Sequence, residues 1–248
     1  MQVYDLHCHS NHSDGSATLE YLIEYADGHG YKTGIADHLF DDGNDTLEDI
    51  VRYLDHAKSL GIPVGGEANI GPDFEMPDEI LNRFDYIVSS VHRIDAPDAP
   101  FIFNRWFAMR SGFISAWPGY YRERASEYLN LAYKQMERHL RRYRTDILGH
   151  CTAFPCYDDI PYWSQELIDW EEDVVALCKK YGVAMEISSM FCCPYERMLR
   201  KAKAAGVKFS FASDAHKLEH VGNLRYSLEM ASVLGLTDED LFIPVLRG

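Results

Sequence analysis

Six of the eleven histidines in this 248-residue chain stand in short clusters, and each cluster closes an apolar run. The first is Val3-Tyr4-Asp5-Leu6-His7-Cys8-His9, followed by Asp14. The others are Asp37-His38, Val91-His92, Gly149-His150 and Asp214-Ala215-His216, with the carboxylate of Gly66-Glu67 in the same setting. Imidazole and carboxylate groups are the mixed ligands that divalent zinc, iron and manganese accept. Alternate residues of an extended segment share a side, so His7 and His9 can reach one ion, and Asp214 and His216 repeat that geometry. The run Phe209-Ser210-Phe211-Ala212-Ser213 reads as buried, and the carboxylate and imidazole that emerge from it need a partner or an ion. Ligands at successive strand ends are what a barrel needs to gather several ions at one mouth. The pattern points to a multi-metal hydrolase.

The elements that must position these residues alternate along the chain. Strands are expected at Gln2–Leu6, Thr33–Ala36, Pro63–Gly66, Tyr86–Ser90, Asp146–Leu148, Val183–Ile187 and Lys208–Ala212. Helices are expected around Leu19–Ala26, Leu47–Leu60, Pro77–Asn82, Ala125–Tyr143, Gln165–Lys180 and Tyr195–Ala205. This alternation favours an α/β fold with a parallel sheet and helical crossovers, open or closed into a barrel. Gly61, Gly182 and Gly206 follow three of the helices, where a left-handed residue commonly ends the element. In the longest helix Ala125, Leu129, Ala132, Met136, Leu140 and Tyr143 form one apolar stripe. Arg141, Arg142 and Arg144 crowd its C-terminal end, where cations complement the helix dipole. Residues 95–124 break the rhythm with eight aromatic residues among Pro and Gly breakers, an insertion that suits a lid over the mouth or a packing layer equally. Without repeats or a linker, residues 1–248 read as one domain.

Composition excludes several classes. The formal charge of −15 works against nucleic-acid partners, whose phosphates call for clustered Lys and Arg. A metal cluster can still make a local positive basin for a small phosphate ester. No apolar run is long enough to span a bilayer, and the N-terminus opens directly on a strand-like run, so a cytoplasmic protein is expected. Cys8, Cys151, Cys156, Cys178, Cys192 and Cys193 form no CxxC pair and read as reduced thiols.

The motifs His7-Cys8-His9-Ser10, Ser13-Asp14-Gly15, Ala36-Asp37-His38, Gly66-Glu67, Ser90-Val91-His92, Leu148-Gly149-His150 and Ser213-Asp214-Ala215-His216 follow one another in an order that resembles the PHP (polymerase and histidinol phosphatase) superfamily. The resemblance is to its stand-alone, histidinol-phosphatase-like members. It implies a distorted seven-stranded (β/α) TIM-like barrel with a metal site at the C-terminal mouth, the usual active face of such barrels. It also implies a trinuclear centre of two to three divalent ions, zinc, iron or manganese. His7, His9, Glu67 and Asp214 would hold the first ion. Glu67 would bridge to a second ion bound also by His92 and His150, and Asp14, His38 and His216 would hold the third. Asp5, close before His7, and Asp37, beside His38, are candidate partners for the imidazole nitrogens that face away from the ions.

The expected activity is hydrolysis of a small phosphate monoester by a hydroxide bridging two ions, with Asp214 or His216 helping to move a proton. Histidinol phosphate is the named candidate, and with it a place in histidine biosynthesis. Phosphate recognition calls for arginine, whose planar donors suit oxyanions. Arg93 is the first choice because it follows His92; Arg105, Arg122 and Arg197 are further candidates. One segment departs from the family: after Met185-Glu186-Ile187, where an asparagine and a loop arginine are common, this chain has Ser188-Ser189-Met190-Phe191-Cys192-Cys193. Competing readings are a phosphodiesterase or exonuclease on the same centre, and a non-enzymatic metal-binding domain. No membrane partner is expected, and the sequence does not set an oligomeric state.

Overall fold

The computed structural model describes residues 1–71, 75–96, 99–103 and 122–247. Its framework is a parallel sheet of β1 (Tyr4–Asp5), β2 (Lys32–Thr33), β3 (Ile35–Leu39), β4 (Val64–Asn69), β5 (Tyr86–Ser90), β8 (Ile147–Gly149), β9 (Ala184–Ser188) and β10 (Phe209–Ala212). Their spatial order is β2-β1-β10-β9-β8-β5-β4-β3. The two ends of that order are one continuous stave, because only Gly34 separates β2 from β3. The Gly34 and Ala36 N–H groups donate to the carbonyls of Asp5 and Cys8, at 2.8 and 3.1 Å. The sheet therefore curls back on itself as a distorted TIM-like barrel of seven staves, as the family resemblance implies. A separate antiparallel hairpin, β6 (Arg93–Ala96) with β7 (Ala99–Phe103), leaves the mouth directly after β5. It opens the aromatic insertion, most of which lies outside the described residues.

Helices α1 (Leu19–His29), α2 (Leu47–Ser59), α3 (Asp78–Leu81), α4 (Ala125–Arg142), α5 (Pro155–Asp159), α6 (Gln165–Tyr181), α7 (Glu196–Ala205) and α8 (Arg225–Leu234) make the crossovers. Local chemistry sets their ends. Thr18 and Ser164 cap α1 and α6 through their side chains, and Thr46 with Asp49 forms a capping box on α2. Left-handed Gly30, Gly182, Gly206 and Gly235 close α1, α6, α7 and α8. α8 was not foreseen, although Ser227, Met230, Ala231 and Leu234 are buried at helical spacing ahead of Gly235. α5, with Pro155 opening its first turn, is too short to show a period. Among the described residues no helix is long and apolar enough to cross a membrane.

Three apolar clusters follow from strand alternation. Leu39, Ile50, Tyr53, Leu54 and Val64 belong to the layer where α1 and α2 cover one side of the barrel. Leu129, Met136, Val174, Leu199 and Met230 join α4, α6, α7 and α8 over the other. Leu6, Ala36, Tyr86, Val88, Ile147 and Ala184, with Phe242 packed against them, fill the interior below the strand ends. Gly65 is required there, since a Cβ at that position would lie 2.3 Å from the Tyr86 ring.

Candidate metal centre

The interior floor stops one residue pair short of the strands' C-terminal ends, and there the inward-facing residues change character. Ala36 gives way to His38, Gly65 to Glu67 and Ala184 to Glu186, each two positions further along the same face. Parallel register places His38 directly opposite Glu67. His7 and His9 follow β1, His92 follows β5, His150 follows β8, and Asp214 and His216 follow β10. His150 and Asp214 take positive φ values of 20° and 50°, which kink the chain as it leaves the strands. Asp14 comes from the loop after His9, where Asp37 accepts hydrogen bonds from the Ser10 N–H and from the Ser10 and Ser13 hydroxyls.

All nine predicted ligands converge, and Glu67 is the hub. Its Oε1 lies 3.3 Å from His7 Nε2, 3.1 Å from His92 Nε2 and 3.4 Å from His150 Nε2. Its Oε2 lies 3.1 Å from His38 Nδ1 and 3.6 Å from His9 Nε2. Asp214 Oδ1 is 3.2 Å from His9 Nε2 and 3.9 Å from His7 Nε2. Asp14 Oδ1 faces His216 Nε2 at 3.4 Å, His38 Nε2 at 3.6 Å and His9 Nδ1 at 3.8 Å. The ligand-capable groups resolve as His7, His9 and Asp214; His38, Glu67 and His92; and His9, Asp14, His38 and His216. His9 and His38 thus sit between groups that the resemblance had assigned to one ion each.

The atoms that face one another do not hydrogen-bond. His7 Nε2, both ring nitrogens of His9, Asp14 Oδ1, His38 Nδ1 and both Glu67 oxygens are buried without a hydrogen-bond partner. Orphaned buried polar atoms are costly, each on the order of 1–3 kcal/mol. Ligands held at about 2.0–2.2 Å around a tetrahedral ion stand roughly 3.4 Å from one another, so the observed separations fit cations between these atoms. Electrostatics agrees. Burial, with His216 and His38 nearby, pushes His9 well below the usual imidazole range, and burial brings His38 down to about 4. Burial opposes a charge on His7 too, yet Glu67, Glu186 and Asp214 together push it well above its ordinary value. Burial alone would raise Glu67 and Asp214, but the surrounding imidazoles hold both carboxylates below the usual range. Acidic, ionised groups that hold protons on neighbouring imidazoles would exchange those protons for metal.

The outward nitrogens of His7, His92 and His216 have partners other than those expected, while His150 Nδ1 is buried without a hydrogen-bond partner. Asp5 accepts from the Ser213 N–H at 3.0 Å, and Asp37 holds the serine loop, so both carboxylates brace backbone and touch no imidazole nitrogen. Asp37 points away from His38 because strand neighbours alternate, whereas Asp5, two residues before His7, is taken up by backbone, accepting from the His7 N–H at 3.4 Å as well. The partners that sequence reasoning missed are Glu186, 2.7 Å from His7 Nδ1, and Asn69, which accepts from His92 Nδ1 and donates to Asp41 at 2.8 Å. Each carried a readable signal. Glu186 is the one charge in an apolar strand, and Asn69 stands two positions beyond Glu67 on the same face. His216 Nδ1 lies 3.0 Å from the Asp214 carbonyl. His12 turns to His56 at 2.9 Å rather than to the cluster.

The arginines divide. Arg93 is exposed immediately beyond His92. Arg197 forks onto Glu171 through two bonds of 2.7 Å, also donates to the Tyr162 carbonyl, and stacks on the Tyr162 ring. That engagement gives it a structural role. Arg122 lies 3.6 Å from Asp159, and Arg105 is outside the described residues.

Comparison with known proteins bears on the same region. No match was found among curated proteins. The crystal structure of histidinol phosphate phosphatase from Lactococcus lactis, complexed with zinc, L-histidinol and phosphate, superposes with a TM-score of 0.64 over 95% of this chain and 95% of that one, at 16% identity. That likeness is one of fold. The PHP domain model matches residues 5–190, most of the chain and seven of the nine converging residues, so the chain belongs to the PHP domain family.

Proposed function

We propose that the protein is a metal-dependent phosphatase that hydrolyses a small phosphate monoester, with histidinol phosphate as the named candidate. The observation that carries this reading is Glu67, buried at the hub of the imidazoles with both oxygens unbonded. His7, His9, Glu67 and Asp214 would hold one ion, Glu67, His92 and His150 a second, and Asp14, His38 and His216 a third. Bound divalent ions would supply Lewis-acid polarisation of a phosphoryl oxygen and lower the pKa of water. The chain's own groups do the rest. Asp214 or His216 would help to move the proton from the attacking water to the leaving oxygen. Arg93, beside His92, is the proposed phosphate contact. The packed floor of Tyr86, Val88 and Phe242 keeps water from entering from below.

A small substrate accords with the net charge of −15. The L-histidinol and phosphate bound by the Lactococcus lactis protein favour the named candidate. All six cysteines are free, five of them buried, which favours the cytoplasm. The test is phosphate release by metal-loaded protein from histidinol phosphate, nucleoside monophosphates and sugar phosphates, beside a phosphodiester and an oligonucleotide. Turnover of monoesters is expected. Cleavage of diesters alone would replace the proposal with a phosphodiesterase, and inactivity on every ester with metal bound would leave a binding domain.

A further inference from the structure

Glu186 is fully buried in the barrel interior, and both of its oxygens are used. Oε2 lies 2.7 Å from His7 Nδ1, and Oε1 accepts from the His150 backbone N–H at 3.1 Å. His150 stands at the end of β8, next to β9 in the sheet, and His7 belongs to the stave of β1, two staves from β9 on its other side. We infer that Glu186 is a positioning residue that sets the ring tautomer of His7 and the backbone of His150 together, so that one carboxylate aligns imidazoles on two ion positions. The inference rests on the metal-centre reading.

The argument begins with the ring. An imidazole can present a lone pair on Nε2 only while Nδ1 keeps its proton. His7 Nε2 is the atom that faces Glu67 and Asp214, and it has no hydrogen-bond partner. The acceptor that holds a proton on Nδ1 is Glu186, and a carboxylate there also makes the ring a stronger donor. The second oxygen acts on geometry rather than on a ring. His150 stands at φ 20°, a conformation that L-residues seldom adopt, and its N–H would be orphaned without Glu186. Its ring reaches Glu67 Oε1 at 3.4 Å from that kinked backbone. Asn69 serves His92 Nδ1 from β4, which leaves Glu186 as the group shared by His7 and His150.

The experiment compares wild type with Glu186→Gln, which keeps the shape and one acceptor but loses the charge and the second acceptor. Zinc affinity is read by competition with a chromophoric chelator, the cobalt-substituted protein by its visible spectrum, and the metal-free protein by its thermal midpoint. A roughly 10- to 100-fold loss of zinc affinity with an altered cobalt spectrum is expected, while the metal-free midpoints stay close. A variant with wild-type affinity and spectrum would overturn the inference alone. Wild type that takes up no zinc would overturn the metal-centre reading and the inference with it. Long-range nitrogen–proton spectra of the zinc-loaded wild type give a readout that does not depend on the variant folding. His7 protonated on Nδ1 is expected, and a proton on Nε2 would overturn the assignment.

Discussion

At the scale of single residues, the candidate centre gathers buried polar atoms that have no hydrogen-bond partner. His9 is the extreme case, with both ring nitrogens buried and unbonded between Asp14, Glu67 and Asp214. His9→Ala is expected to lose bound metal and phosphatase activity together, measured by elemental analysis and turnover on the same sample. Asp214→Asn is the sharper companion, because asparagine tolerates the positive φ of 50° and only the charge is lost. Normal turnover by either variant would contradict its role. Outside the centre, His139 contributes to acid sensitivity. Burial lowers His139 to about 4, and its Nε2 is 3.2 Å from the Ser89 hydroxyl. The unfolded chain takes a proton there near pH 6.5 while the folded protein resists until about 4, so stability falls as pH drops through that window. His139→Gln should remove about 2 kcal/mol of the loss between pH 7 and 5, seen as a smaller shift of the urea midpoint in chelator-treated protein.

At the scale of elements, the loop between β1 and α1 shows how tightly the ligands are carried. Gly15 N–H donates to the Ser10 carbonyl, Ser16 N–H to that of His216, and Asp37 ties Ser10 and Ser13. A Cβ at Gly15 would lie 2.2 Å from the His9 carbonyl oxygen, a clash with backbone rather than with a movable side chain. Gly15→Ala is therefore expected to cost about 1–3 kcal/mol and to release Asp14 from the cluster. The check is a lower urea midpoint with fewer ions retained per chain. Most of the strands that present the ligands were legible, because each is a short apolar run ending in a polar, ligand-type residue. The hairpin at Arg93–Phe103 overlaps the insertion expected at 95–124, and its strands of four and five residues are too short to show an alternation in the sequence. α8 escaped notice because Ser227 and the exposed Leu228 blur its apolar face.

At the scale of the whole molecule, strands drawn from residues 4 to 212 share one sheet, so the centre can form only when the barrel has closed. Metal binding and folding are then linked. At a free ion concentration of about 100 times the dissociation constant, one ion adds roughly 2.7 kcal/mol, so chelation should lower the melting temperature by about 5–10 °C. Scanning calorimetry with and without chelator measures this, and an unchanged midpoint would count against ions as part of the fold.

The sequence by itself marked the candidate ligands and most of the strands that carry them, because residue type, spacing and alternation are local properties. It also carried the family resemblance that the PHP domain match supports. Tertiary structure alone decided which nitrogen meets which oxygen. Glu67 became the hub through parallel register with β3 and the closure of the barrel, and Glu186 reached His7 across 179 positions of chain. Asp37 lost the partner role because strand neighbours point to opposite sides, and Asp5 because the Ser213 and His7 backbone N–H groups claim its carboxylate. Contacts of that kind depend on how staves curl and stagger, and no local pattern encodes them.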